Sequence, residues 1–151
     1  MRVNKFVLDC NILIRYFAVN HLNFLLDILE YFPDTKFYYC KELLDEFSRV
    51  AKYPRLTKAN IDVKKSVEFI KEFFTEHKLN KPIKKRILAD PGDDFVFALA
   101  LETNSGYLVS EDDEAFHNNK TTLYKKYPHL KFLYKKEFKK LFTDKLKRLH
   151  H

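Results

Sequence analysis

Two short apolar runs, each stopping at acidic residues, constrain this chain more than any other feature. Lys5-Phe6-Val7-Leu8 ends at Asp9, and Tyr107-Leu108-Val109-Ser110 runs into Glu111-Asp112-Asp113-Glu114. Runs this short read as strands covered on both faces. Lys36-Phe37-Tyr38-Tyr39 adds an aromatic strand and Lys131-Phe132-Leu133 a last one. Helical patterns fall between them, over Asn11 to Phe17, Leu22 to about Phe32, 41 to 51 and Ile61 to Glu76. In the segment 41 to 51, Leu43, Leu44, Phe47, Val50 and Ala51 share one face while Glu42, Glu46 and Arg49 share another, and Pro54 ends it. Asp93 or Asp94 caps a helix running to about Thr103. It is apolar on all sides and so should be central. Lys78 to Lys85 reads as a basic loop and Ile87-Leu88 as a brief extended piece. The final helix spans Lys135 to Leu149, with Phe138, Leu141, Phe142, Leu146 and Leu149 inward. Strands alternating with helices predict an α/β fold, a parallel sheet with helices on both faces. Such sheets bind ligands beyond the carboxyl ends of their strands, where Asp9, Cys40 and Ser110 fall.

The length of 151 residues predicts a single domain over 1–151 with a basic C-terminal helix at about 135–149. A hydrophobic share of 46% argues against global disorder, and 15 Phe with 9 Tyr predict an aromatic core. With only two Gly, the turns must lean on Asn, Asp and Pro. Cys10 and Cys40 form no Cys-x-x-Cys motif and read as free thiols in a reducing cytosol. No stretch resembles a signal peptide, and the segment Leu22 to Phe32 contains Asp27 and Glu30 and is too short to span a bilayer. The expectation is a soluble, cytoplasmic protein without a membrane partner.

Charge is uneven. The net value is +7, yet residues 120 to 151 carry eleven Lys or Arg against Glu137 and Asp144, +9, and leave the first 119 residues at −2. An acidic body beside a basic tail suits a body that holds metal and a tail that holds phosphates; the bland alternative is a solvated helix face. The acids gather in four places: Asp9-Cys10-Asn11, Glu42-Leu43-Leu44-Asp45-Glu46-Phe47, Asp90-Pro91-Gly92-Asp93-Asp94 and Ser110-Glu111-Asp112-Asp113-Glu114. Each has an ordinary explanation. Asp93 or Asp94 caps a helix, Asp113 caps a turn, and Glu46 pairs with Arg49. Asp9 is hardest to explain so, because it ends a buried strand. Together, carboxylates on one sheet edge repel unless a cation neutralises them, and oxygen-only clusters suit Mg²⁺ or Mn²⁺. A hard-metal site in a cationic protein points to chemistry on a polyanion.

In this order the four segments resemble the PIN-domain ribonucleases, in the branch containing the toxin components of toxin–antitoxin modules. The likeness rests on Asp9-x-Asn11, on Glu46 within Glu42-Leu43-Leu44-x-Glu46, on Asp90-Pro91-x-Asp93 before an Ala-containing apolar helix, and on Leu108-Val109-Ser110-x-Asp112. It covers roughly residues 4 to 116. It implies a three-layer fold on a sheet of about five parallel strands, and metal-dependent hydrolysis of RNA phosphodiester bonds to a 5′-phosphate and a 3′-hydroxyl. It assigns Asp9, Glu46, Asp93 and Asp112 to Mg²⁺ or Mn²⁺, and gives Asn11 and Glu114 supporting places beside the first and fourth acids. It also implies RNA as substrate, a separately encoded antitoxin and a homodimer. The chain departs from the pattern at Cys10, where Thr or Ser is common, and at Cys40, where Ser often caps the next helix. It departs again at Glu111, where Gly is usual, and at Glu114, which replaces Asp. Two alternatives stay open: a PIN-like RNA-binding or interaction module without turnover, and a nuclease of single-stranded or flap DNA. The chain has no glycine-rich phosphate loop, no metal-ligand His spacing and no nucleophile-elbow context for Ser48, Ser66, Ser105 or Ser110.

Overall fold

A computed structural model describes residues 4–18, 22–80 and 94–149. Along the chain these form β1 (Lys5–Leu8), α1 (Cys10–Ala18), α2 (Leu22–Tyr31), β2 (Lys36–Tyr39), α3 (Lys41–Val50), α4 (Val63–Phe73), β3 (Thr75–Glu76), α5 (Asp94–Glu102), β4 (Tyr107–Val109), α6 (Lys120–Lys126), β5 (Lys131–Leu133) and α7 (Lys135–Leu149). The strands make one sheet in the order β3-β2-β1-β4-β5, every neighbouring pair parallel. The chain fills one side of β1 first, then crosses to fill the other. The reversal puts the β1/β4 boundary at the topological switch point, where sheets of this kind leave a crevice at their carboxyl ends.

Alternation along the strands builds two cores. Phe6, Phe37 and Tyr107 are register partners on one face, and Phe6 meets Phe138 and Phe142 of α7 at ring distances of 5.4 and 5.3 Å. Phe132 on the opposite face meets Phe97 of α5 and Phe116, at 6.1 and 5.4 Å. Aromatic rings supply the bulk on both sides, as the composition predicts. Helix α5 is apolar on every side and central as expected: Val96, Phe97, Leu99 and Ala100 are all buried, and it packs on β1, β2 and β4.

Scarce glycine leaves its mark on the turns. The two non-glycine residues with positive φ among those described are both asparagine, Asn60 at 54° and Asn104 at 53°. Asparagine tolerates the left-handed region better than most residues, and Asn104 follows the end of α5 where a helix commonly closes this way. Cys40 does occupy the position preceding α3, with extended backbone, but its side chain makes no capping hydrogen bond. Burial pushes its thiol up to about 11. Cys10 and Cys40 are both free and buried.

Two expectations are corrected. The helix expected over Ile61 to Glu76 stops at Phe73, and Thr75–Glu76 becomes the outer strand β3 by pairing with Tyr38 and Tyr39. Residues Lys120–Lys126 form a helix the periodicity did not reveal. The basic loop is described only as far as Asn80, and Ile87-Leu88 lies outside the described residues.

Candidate metal centre

Backbone hydrogen bonds carry the β1/β4 and β4/β5 pairings past the ends of the strands. Asp9 N–H donates to Val109 O at 2.9 Å, and Ser110 N–H donates to Leu133 O at 2.9 Å. Asp9 and Ser110 are thereby fixed side by side at the carboxyl edge, only 2% and 0% exposed. A carboxylate at this depth needs partners. Asp9 Oδ1 accepts from the Cys10 N–H at 2.7 Å, in the first turn of α1, and Oδ2 accepts from the Ser110 hydroxyl at 2.8 Å and from Asn11 Nδ2 at 3.4 Å.

Ser110 is the hub. Its oxygen donates to Asp9, accepts from Asn11 Nδ2 at 3.3 Å and accepts from the Asp112 N–H at 3.0 Å, which uses the full capacity of a hydroxyl. Asn11 completes the loop, its Oδ1 accepting from the Glu111 N–H at 3.1 Å. Asp9, Asn11, Ser110 and the backbone of 111–112 therefore form one closed polar circuit. On its far side His117 donates from Nε2 to Ser110 O at 2.8 Å, and its ring stacks on Tyr134 with centroids 3.6 Å apart. The sequence places Ser110 at the carboxyl edge without a nucleophile-elbow context, and nothing local marks it as a bridge. Its role as a bridge depends on β1 lying beside β4, a long-range fact that only the motif Leu-Val-Ser-x-Asp hinted at.

Electrostatics mark Asp9 as the centre. Burial, opposed by the hydrogen bonds from Ser110 and Cys10 and reinforced by the negative charges of Glu46 and Asp112, pushes its carboxyl up to about 6. Glu46, part-buried on α3, accepts a hydrogen bond from the Cys10 thiol. Asp112 is also part-buried, and its Oδ1 accepts from the Ala115 N–H at 3.0 Å, closing the turn that follows β4. The turn-capping role considered for Asp113 thus belongs to Asp112. Asp113 instead accepts from the Tyr134 hydroxyl.

Asp9 and Asn11 thus share one circuit with the backbone of Asp112, and the charges of Glu46 and Asp112 reach Asp9. Glu114 does not join the circuit: it is exposed, and its carbonyl accepts from Asn119 Nδ2 at 2.9 Å. Glu111 turns toward Arg15, whose Nη1 lies 4.0 Å from its carboxylate. Asp93 lies outside the described residues. Among the described residues no three His, Cys, Asp or Glu side chains are arranged to hold a metal ion.

No protein-family model matches the chain. No curated protein matches it significantly. Among solved structures it is similar to VapBC2 from Rickettsia felis bound to a DNA fragment from their promoter, with a TM-score of 0.51 and 13% identity over 86% of this chain and 98% of that one. At that identity the likeness speaks for the fold, which is the three-layer, five-stranded parallel arrangement of PIN-like proteins.

Proposed function

We propose that this chain is a metal-dependent nuclease that hydrolyses RNA phosphodiester bonds and acts as the toxin-like member of a two-protein pair. The observation that carries the reading is the state of Asp9. It is buried at the switch point, held by a closed hydrogen-bond circuit, and among the described residues the charges that act on it are those of two acids, Glu46 and Asp112. A group kept in that condition is matched to a ligand that brings positive charge. The donor set is all oxygen, which suits Mg²⁺ or Mn²⁺.

Asp9, Glu46 and Asp112 would hold the ion. These described acids do not complete a cation site by themselves, so the reading requires a further ligand, the place that the sequence resemblance gives to Asp93. When bound, the metal supplies a water of lowered pKa and stabilises the leaving oxygen. The chain's own residues do the positioning. The Cys10 N–H fixes Asp9 Oδ1, Ser110 and Asn11 fix Oδ2, and the same Ser110 hydroxyl fixes the backbone of Asp112, which ties the positions of the two acids together. A separately encoded partner is supported by the resemblance to VapBC2, which was solved with DNA from its promoter.

A second reading is a PIN-like RNA-binding module without turnover. It draws support from the fourth corner, where Glu111 faces Arg15 and Glu114 faces solvent. One experiment separates the two: incubate 5′-labelled structured and unstructured RNAs, with matched DNAs, in Mn²⁺, Mg²⁺ or EDTA. The nuclease reading expects metal-dependent cleavage of RNA leaving 5′-phosphate ends, abolished by Asp9→Asn. Cleavage that survives EDTA or Asp9→Asn removes the metal mechanism. RNA binding without cleavage in any metal establishes the module.

A further inference from the structure

Three cations from two different helices gather one residue away from Asp112. Arg15 lies on α1, and Lys135 and Lys139 lie one turn apart at the start of α7. The Lys135 ammonium does not extend freely into solvent. It is part-buried, over the face of Tyr16 at 4.9 Å from the ring centre. Burial lowers its pKa, and the nearby charges of Lys139 and Arg15 lower it further, while Glu111 alone among the nearby charges acts in the other direction. Glu111 reaches Arg15 only at 4.0 Å, longer than a hydrogen bond. This cluster therefore carries uncompensated positive charge against the flank of a site that is itself too acidic. Lys139 is exposed, as are Lys136, Lys140 and Lys147; what sets the cluster apart is that Lys135 lies over Tyr16, the residue that follows Arg15 in α1.

We infer that Arg15, Lys135 and Lys139 form a phosphate-binding subsite that seats the backbone of a single-stranded nucleic acid next to the Asp9–Asp112 corner. The cations span α1 and α7 along the side of that corner, so the strand would run from the acidic centre across the start of α7. The sugar-phosphate chain is the chemistry that fits: it offers successive anions, and a guanidinium with two ammonium groups needs more than one of them. The inference deepens the nuclease reading by assigning the substrate's path. It singles out two of the tail's eleven basic residues, together with an arginine from the acidic body.

The test measures binding apart from cleavage. A fluorescein-labelled single-stranded RNA of about twelve nucleotides, a length within the usual site sizes, is titrated in EDTA by fluorescence anisotropy across a salt series. The proteins are the wild type, Arg15→Gln/Lys135→Gln/Lys139→Gln, and a control of equal charge change, Lys136→Gln/Lys140→Gln/Lys147→Gln. With a slope of about −0.7 per phosphate contact, losing three contacts flattens the salt dependence by about 2 and weakens binding about 100-fold at 0.1 M salt. The control should stay within a few-fold of the wild type. Because Lys135 also packs on Tyr16, Arg15→Gln/Lys139→Gln serves as a second variant that leaves that contact intact, with a slope change of about 1.4. Equal losses in the patch and control variants would show that only net charge matters and overturn the proposal. No measurable binding by the wild type overturns it too. So does full affinity in the patch variants, which would turn the cluster toward an acidic protein instead. If the patch variants lose binding while the wild type never cleaves in Mn²⁺, the subsite stands and the nuclease reading falls.

Discussion

Asp9 and Glu102 are two carboxylates in one small protein, held in opposite ways. Glu102, at the end of α5, accepts from His77 Nε2 at 2.9 Å and from the Asn80 N–H at 2.8 Å. Desolvation alone would raise its pKa. The hydrogen bond from His77, aided by Asn80 and by the His77 charge, outweighs it and holds the carboxyl below its usual value. Asp9 receives three hydrogen bonds, more than Glu102, yet ends up raised to about 6, because its burial is nearly complete and its charged neighbours are Glu46 and Asp112. Glu102 is provided with a cationisable partner by the fold. Asp9 is provided with geometry, and among the described residues the charges acting on it are negative. The difference separates a carboxylate that holds structure together from one that waits for a ligand.

The largest effect should come from removing the two charges in turn and measuring RNA cleavage. Asp9→Asn should cost on the order of 1000-fold in turnover, a loss of several kcal/mol in transition-state stabilisation. Glu102→Gln should change turnover less than about twofold, since its partners lie outside the circuit. Comparable losses in the two would erase the distinction.

Stability should respond with the reverse sign. The folded pKa of Asp9 lies above the unfolded value of 3.8, so the folded protein holds this proton more tightly. The associated stability is present below pH 3.8 and is lost as pH rises through about 6. At neutral pH the penalty is about 3 kcal/mol by the linkage relation. Asp9→Asn should therefore melt higher than the metal-free wild type at pH 7, with the gap closing toward pH 4. A gap that stays constant with pH would mean that Asp9 ionises freely.

Smaller effects test the partners. Ser110→Ala removes the Oγ that donates to Asp9 and accepts from Asp112, and should cost about 1–3 kcal/mol in thermal unfolding for the buried groups left unpaired. Glu102→Gln should cost only about 1 kcal/mol, because its site is partly exposed and an amide retains one acceptor.

Much of this was legible in the sequence, and the exceptions have physical reasons. The strands β1, β2, β4 and β5 were readable because their apolar or aromatic runs are short and bounded. Strand β3 was not, because Thr75 and Glu76 are both exposed and become a strand only through pairing with β2. Helix α6 was not, because it buries Leu123 alone and so has no stripe to detect. Asp9 and Asn11 were readable from their place at a strand end. Ser110 as the bridge was not, because its partners are 99 and 101 residues away. The fate of Glu114 was hidden for a similar reason: the turn that Asp112 closes directs it to solvent.

The most direct measurement is calorimetric titration of Mn²⁺ into the wild type, Asp9→Asn and Glu102→Gln at about pH 7.5, above the raised Asp9 value. The wild type and Glu102→Gln should bind with the same affinity, and Asp9→Asn at least about tenfold more weakly. Binding by Asp9→Asn as tight as the wild type, or no binding by the wild type at millimolar Mn²⁺, would contradict the metal reading.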